Sequence, residues 1–327
     1  MVGLVRGLAK QAIHRATLGV RVIPQFAIVD LPAPQQQIEV TLQGSFGAVD
    51  VTSRTVAVSL DPLRIGVGLP KRADAASAPA VAALTFRETI DGRAEVGRLA
   101  LQLHECIALP DGELAVFRPI AGRDACINPL RRSLYYAWKR WKGRQRPGPR
   151  PDFADFTNLL IHYICPRPVA LVTVMDGDGS QGNLFPMDLL AQVGPQSFVA
   201  ALKNSNRAME QVCRSRRMVV SRIPFELGSA AYALADMHRA EHIDWETVPF
   251  ALARSAHFGY RIPAGALTTT EIEILRTENM GSHTALIGVA LNEQRVNEGR
   301  GMHHVSGLYE EHCRARGRAL VPATAAR

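Results

Sequence analysis

The chain has no run near the ~18 to 20 uninterrupted apolar residues that a membrane-spanning helix requires, so no membrane association is expected. It has no CxxC pair. Its five cysteines, Cys106, Cys126, Cys165, Cys213 and Cys313, are odd in number and far apart. That spacing excludes a disulfide framework and a zinc knuckle and points to a reducing, cytoplasmic setting. No GxGxxG opens a helix after a strand, "GLPKRADAAS" lacks the Gly-Lys-Ser/Thr ending of a phosphate loop, and no GxSxG is present. A dinucleotide-binding α/β fold, a P-loop enzyme and a serine hydrolase are therefore unsupported. The first twenty residues contain no acid, but also no long apolar core and no small-residue cleavage site. They read as a surface helix, not a secretory signal.

Acidic residues are also missing from 131–150, "RRSLYYAWKRWKGRQRPGPR", and this absence explains the net charge. The segment carries Arg131, Arg132, Lys139, Arg140, Lys142, Arg144, Arg146 and Arg150, which together equal the whole +8 excess of the 327-residue chain. A basic protein built for nucleic acid spreads its cations over a face; here they sit in one segment. Tyr135, Tyr136, Trp138 and Trp141 lie between them. The expectation is an amphipathic helix with its aromatics on the core, followed by a connector, and no nucleic-acid partner.

What remains is sheet-forming sequence. Before the proline-rich stretch "GRQRPGPRPDF", segments such as "IEVTLQGSF", "TVAVSLDPLRIGVGL" and "RLALQLHECIAL" alternate or run apolar between Asp-Pro, Gly and "PDGE" turns. After it, "PVALVTVM", "MDLLAQV", "SFVAAL", "MVVSRI" and "EIEILRTENMGSHTALIGVALNEQRV" read the same way. Prolines at the junction cannot continue a helix or a central strand. The expected organisation is therefore a β-rich domain over 1–130, a basic aromatic helix and linker over 131–154, and a second domain over 155–327. "VSLDPLRIGVGL" (58–69) echoes "AQVGPQSFVAAL" (191–202). "LQLHECIALPDGELAVFRPI" (101–120) echoes "IEILRTENMGSHTALIGVAL" (272–291) without a gap. Either the first half is a worn duplicate of the second, or two strand-turn-strand patterns agree by chance.

"HRAEH" (238–242) has the spacing of a zinc-binding helix with two histidines one turn apart. Zinc hydrolysis needs a third protein ligand, and three fixed letters do not supply one, so no metal is expected.

Four segments carry a resemblance. "PRPVALVTVMDGDGSQGNLFP", "KNSNRAMEQVCRSRRMVVSRIP", "GSHTALIGVAL" and "HHVSGLYEEHCRARGR" stand in the order and spacing of the flavin reductase-like family, over about half the chain. The resemblance implies an all-β fold with helical decorations: an FMN-binding split β-barrel of Greek-key type. A smaller β-rich domain, or a degenerate duplicate barrel, would precede it. It implies FMN as cofactor, with haem as the alternative some split barrels hold, His238 or His242 being candidate axial ligands. Reduced nicotinamide, NAD(P)H, would be the co-substrate, and the assembly a homodimer with flavin near the interface, or a pseudo-dimer if the halves are duplicates. Asn183, Phe185, Pro186 and Met187 would lie along the isoalloxazine. Lys203, Asn204, Ser205 and Arg207 would hold the phosphate, with Ser205 capping a helix whose free N–H groups face it. His283 would stand at the nicotinamide side as the catalytic residue, and His304 and Tyr309 would close over the barrel. The implied activity is hydride transfer from nicotinamide to flavin; the alternative is a flavin- or haem-binding barrel with a specialised biosynthetic or non-catalytic role. Three residues depart from the family pattern. Asp188 stands where Ser or Thr is common, Ala208 where Asn is, and Ser282 where an Asp commonly precedes the histidine, so that carboxylate steering of the imidazole is lost.

Overall fold

A computed structural model describes residues 23–32, 36–71, 78–90, 92, 94–144, 152–176, 179, 181–318 and 320. The basic N-terminal stretch and most of the proline-rich connector lie outside the described residues. Nineteen strands are described. β1 (Phe26–Leu31) is followed by β2 (Ile38–Gly44), β3 (Gly47–Asp50), β4 (Thr55–Leu60), β5 (Leu63–Pro70), β6 (Val81–Glu88), β7 (Glu95–Leu109) and β8 (Gly112–Asp124). After the helices Pro129–Arg144 and Phe153–His162 come β9 (Arg167–Pro168), β10 (Ala170–Met175), β11 (Gly182–Met187), β12 (Leu190–Gln192) and β13 (Ser197–Lys203). The helix Ala208–Ser215 leads to β14 (Arg217–Arg222). The hairpin β15 (Leu252–Arg254) and β16 (Arg261–Pro263) precedes β17 (Thr268–Asn279), β18 (His283–Arg295) and β19 (Gly301–Ser306), and the helix Gly307–Ala315 follows.

The two halves have one topology. The first sheet runs β3-β2-β6-β7-β8-β5-β4 and the second β11-β10-β14-β17-β18-β13-β12, which is the same order strand for strand. Register agrees as well. Pro70 pairs with Gly112, Leu69 with Glu113 and Ile65 with Phe117; Lys203 pairs with His283, Leu202 with Thr284 and Phe198 with Gly288. The long hairpins are interrupted at matching places, between Ala100/Leu101 and Leu103/Glu105 in one and between Glu271/Ile272 and Ile274/Arg276 in the other. A bulge is a local, sequence-determined feature, so two in step are hard to reconcile with chance. The echoed segments of the sequence occupy these equivalent strands. The first half is thus a second seven-stranded split barrel, equal to the other in strand number.

The halves meet through equivalent faces. Val56, Val58, Leu114 and Val116 of the first pack with Val193, Val199, Ala285 and Ile287 of the second. Strands β4 and β8 thus meet β12, β13 and β18, the self-complementary arrangement of a two-fold dimer built within one chain. The approach is close. A Cβ on Gly68 would collide with the Val193 carbonyl oxygen. Gly68→Ala should therefore destabilise the chain by about 2 kcal/mol or more through overpacking. An unchanged urea midpoint would show that the seam opens without cost.

The helix Pro129–Arg144 forms as its sequence pattern demands: Tyr135 is fully buried and donates its hydroxyl proton to the Pro24 carbonyl. Its Arg131 pairs with Glu311 at 2.8 Å. β19 lies between β1 and β9 in a three-stranded sheet, so an early and a late segment of the chain are hydrogen-bonded neighbours.

Candidate functional site

The hairpin that opens at Gly182 turns its odd-numbered side chains inward. Phe185 and Met187 belong to the core of the second barrel with Val172, Val174, Leu202 and Ile272, and Phe185 is 2% exposed. Asn183 is fully buried, and its carboxamide donates to the Ala240 carbonyl at 2.9 Å. Pro186 is half-buried on the outer face. The side chains of Asn183 and Phe185 are thus part of the barrel wall. The surface of the site begins one residue beyond the strand, at Asp188.

Asp188 is the centre of a polar network assembled from four parts of the chain. Its Oδ2 accepts from the Tyr163 hydroxyl at 2.8 Å and lies 2.6 Å from His304 Nδ1. The other ring nitrogen of His304 meets the Tyr232 hydroxyl. Tyr163 ends the helix Phe153–His162, Tyr232 sits in the short helix Gly228–Ala233, and His304 is on β19. Burial alone would raise the Asp188 carboxyl, but the charge and hydrogen bond of His304 and the bond from Tyr163 bring it below its ordinary value. A carboxylate accepts only, so His304 presents Nδ1–H to Asp188, while its Nε2 meets the Tyr232 hydroxyl.

His283 opens β18 beside Lys203 and is 7% exposed. Burial, then the Lys203 charge, push its pKa down to about 4, with Asp188 acting in the opposite sense. Lys203, His283 and Asp188 therefore share one electrostatic neighbourhood, and the imidazole is neutral at pH 7. The Ser282 hydroxyl lies 2.8 Å from His283 Nδ1, in the place of the lost carboxylate. His303 is likewise held down to about 4, first by burial and then by Arg222. Both imidazoles take up protons more readily unfolded than folded, so their contribution to stability is complete above pH ~6.5 and declines as pH falls toward 4. A fall from 6.5 to about 4 corresponds to roughly 3 to 4 kcal/mol at most for each. The urea midpoint should fall between pH 7 and 4.5, and His283→Gln should flatten part of that slope. An identical slope in the variant would place the titration elsewhere.

At the end of β13 the chain makes a turn, with Asn206 N–H donating to the Lys203 carbonyl at 2.8 Å. The helix therefore begins at Ala208, later than expected. Arg207, not Ser205, is its N-cap and makes no side-chain capping bond, while Asn206 in the preceding turn accepts from Ala208 N–H at 2.9 Å. Asn204 is committed to the neighbouring turn: its side chain donates to the Gly281 carbonyl at 2.7 Å and accepts from the Thr284 hydroxyl at 2.9 Å. Lys203, Ser205 and Arg207 are exposed. Among the described residues, Lys203 and Arg207 have no carboxylate partner. Two unpaired cations beside a helix start suit a dianionic phosphate.

The remaining candidates fall elsewhere. Tyr309 is fully buried in the core of the first barrel with Tyr135 and Cys313, so it cannot cover an open face. "HRAEH" contains a 3-10 turn, Met237–Arg239, not the α-helix that would set two histidines one turn apart. His242 Nδ1 lies 3.1 Å from Gln211 Nε2. Among the described residues no cluster of His, Cys, Asp and Glu has the arrangement of a metal site, and no helix is long and apolar enough to cross a membrane. Tyr163 and Tyr232 were not legible as site residues, since neither stands in a motif. The departure at Asp188 was the one signal of the network around it.

Residues 162–309 match the family model "Flavin reductase like domain". The match lies in the second half of the chain, whose split barrel is the fold the resemblance implied. No curated protein matches the chain. Among solved structures, it is similar to the NADH:FAD oxidoreductase SgcE6 of Streptomyces globisporus C-1027, with 21% identity over 50% of this chain and 95% of that one, TM-score 0.41. It is also similar to an FMN-binding protein from Thermus thermophilus with bound p-hydroxybenzaldehyde, at 19% identity over 50% and 95%, TM-score 0.39. The flavin reductase of the styrene monooxygenase from Pseudomonas putida S12 follows at 17% over 44% and 90%, TM-score 0.37.

Proposed function

We propose that the protein is a flavin-dependent oxidoreductase that binds FMN at the mouth of its second barrel and accepts hydride from NADH or NADPH. The observation that carries this reading is, within a flavin reductase like domain, an unpaired lysine beside a neutral imidazole at the paired ends of β13 and β18, with the exposed Arg207 in the turn that follows. The donor set fits the group. Lys203 and Arg207 would hold the phosphate, with the exposed Ser205 hydroxyl beside them. Asp188 and its partners would border the ring, leaving backbone groups beyond β11 to meet its polar edge. Flavin bound here would supply hydride acceptance at N5. His283, kept uncharged by burial and Lys203, would orient the nicotinamide as a hydrogen-bonding group without repelling its positively charged oxidised form. Haem is disfavoured, since His242 is engaged by Gln211 and lies in a segment tethered by Asn183.

The test is direct. The purified protein should show bands near roughly 375 and 450 nm, the flavin pattern, and oxidise reduced nicotinamide in the presence of FMN. His283→Gln should raise the KM for nicotinamide severalfold with bound flavin nearly intact. A Soret band, or loss of flavin together with activity, would overturn the assignment.

A further inference from the structure

The His283 turn is held by the other half of the chain. Ser282 N–H donates to the Asp61 carbonyl at 2.8 Å. The Ser282 hydroxyl oxygen accepts from Asp61 N–H at 3.0 Å and, more weakly, from Leu60 N–H at 3.3 Å. A hydroxyl has two lone pairs. With both directed at the β4–β5 turn, its own proton goes to the nearer of its two remaining neighbours, His283 Nδ1 at 2.8 Å, with Ser59 Oγ standing off at 3.3 Å. That places the ring hydrogen on Nε2. The contact is tight: a Cβ on Gly281 would stand 2.8 Å from the Asp61 carbonyl oxygen.

The pseudo-symmetric contact also exists, but without the chemistry. The turn between β12 and β13 docks on Asp111, which accepts from Gln196 N–H at 2.6 Å and Ser197 N–H at 3.1 Å. By register Gly112 stands in the place of His283 and Pro70 in the place of Lys203, and Asp111 in that of Ser282. Thr52 stands in the place of Asp188, two residues beyond the matching strand pairs. Its hydroxyl is already spent on Val40 N–H at 2.9 Å and on Asp50 at 2.6 Å. Among the described residues, the second position thus has Pro70 and Gly112 in place of a lysine and an imidazole at the paired strand ends, with Lys71 one residue further on, and its carboxylate is taken.

We propose that the N-terminal half serves as the partner subunit of the C-terminal barrel within one chain: its β4–β5 turn fixes the His283 imidazole through Ser282, while its own equivalent position holds no flavin, so each chain carries one. The count rests on the flavin reading above; the positioning of His283 does not. Ser282 is a positioning residue, acting through the imidazole.

Two measurements on the full chain decide it. Long-range proton–nitrogen spectra of the ligand-free protein should show His283 as a single Nε2–H tautomer. Ser282→Ala should replace that pattern with a mixture, and Ser282→Thr, which keeps the hydroxyl, should restore it. A wild-type ring protonated on Nδ1, or a pattern unmoved in Ser282→Ala, overturns the positioning; the wild-type spectrum decides even if the variant fails to fold. Titration with FMN should saturate at one per chain. Two per chain overturns the single-site inference with the flavin reading intact, whereas none overturns the flavin reading and the count, leaving the tautomer to be judged separately.

Discussion

Replacing Lys203 and Arg207 together by alanine should weaken FMN about a hundredfold while changing riboflavin affinity by no more than about twofold. Each cation would contribute a charge-assisted contact to the phosphate, worth ~1.5 kcal/mol at the exposed end of the usual range, and every 1.4 kcal/mol is about a factor of ten. Riboflavin has no phosphate and is indifferent to both. Neither side chain is tied into the fold by an ion pair, so the double variant should retain the parent's urea midpoint. Equal losses for the two ligands would move the phosphate away from the β13 end. The interaction should also weaken with salt, because the two charges are exposed and screened.

Asp188→Ala should cost about 2 to 4 kcal/mol of folding stability. It strips the acceptor from both the Tyr163 hydroxyl and His304 Nδ1, leaving two donors in a mostly enclosed site. Asp188→Asn retains one acceptor oxygen and should lose less. The pH sign follows from the depressed carboxyl. Its contribution is complete above the ordinary carboxylate pKa and disappears as pH falls through the lower folded value. The difference between parent and Asp188→Asn should therefore shrink in strong acid. Denaturant midpoints of parent and alanine variant that coincide at pH 7 would remove Asp188 from any structural role. In the proposed reading the same substitution should also loosen the ring side of the site through Tyr232.

Much of the second barrel was legible because its signals are local. Apolar alternation, the turn at Gly281 and Ser282, and the order of four motifs specify strands and their neighbours without knowledge of the rest. The first barrel was legible only as an echo. Two short strand-turn-strand patterns carry too little information to prove a duplicate, whereas strand order and matching bulges carry enough. Along β11 the pattern is silent: in "NLFPM" residues of both faces are buried, Asn183 and Phe185 on one and Leu184 on the other, so a two-residue period cannot say which face looks into the barrel.

The sequence by itself determined the sheet-rich class and the likeness of the second half to flavin reductases, since each depends on residue type and near neighbours. Only the tertiary structure decided that Asp188, Tyr163, His304 and Tyr232 form one network. These residues come from four separated segments, and no pattern along the chain records a contact made across a fold. Only the tertiary structure, too, set Leu60 and Asp61 against Ser282. The hydrogen bonds there join backbone groups to a hydroxyl more than two hundred positions away, and backbone groups are the same in every sequence.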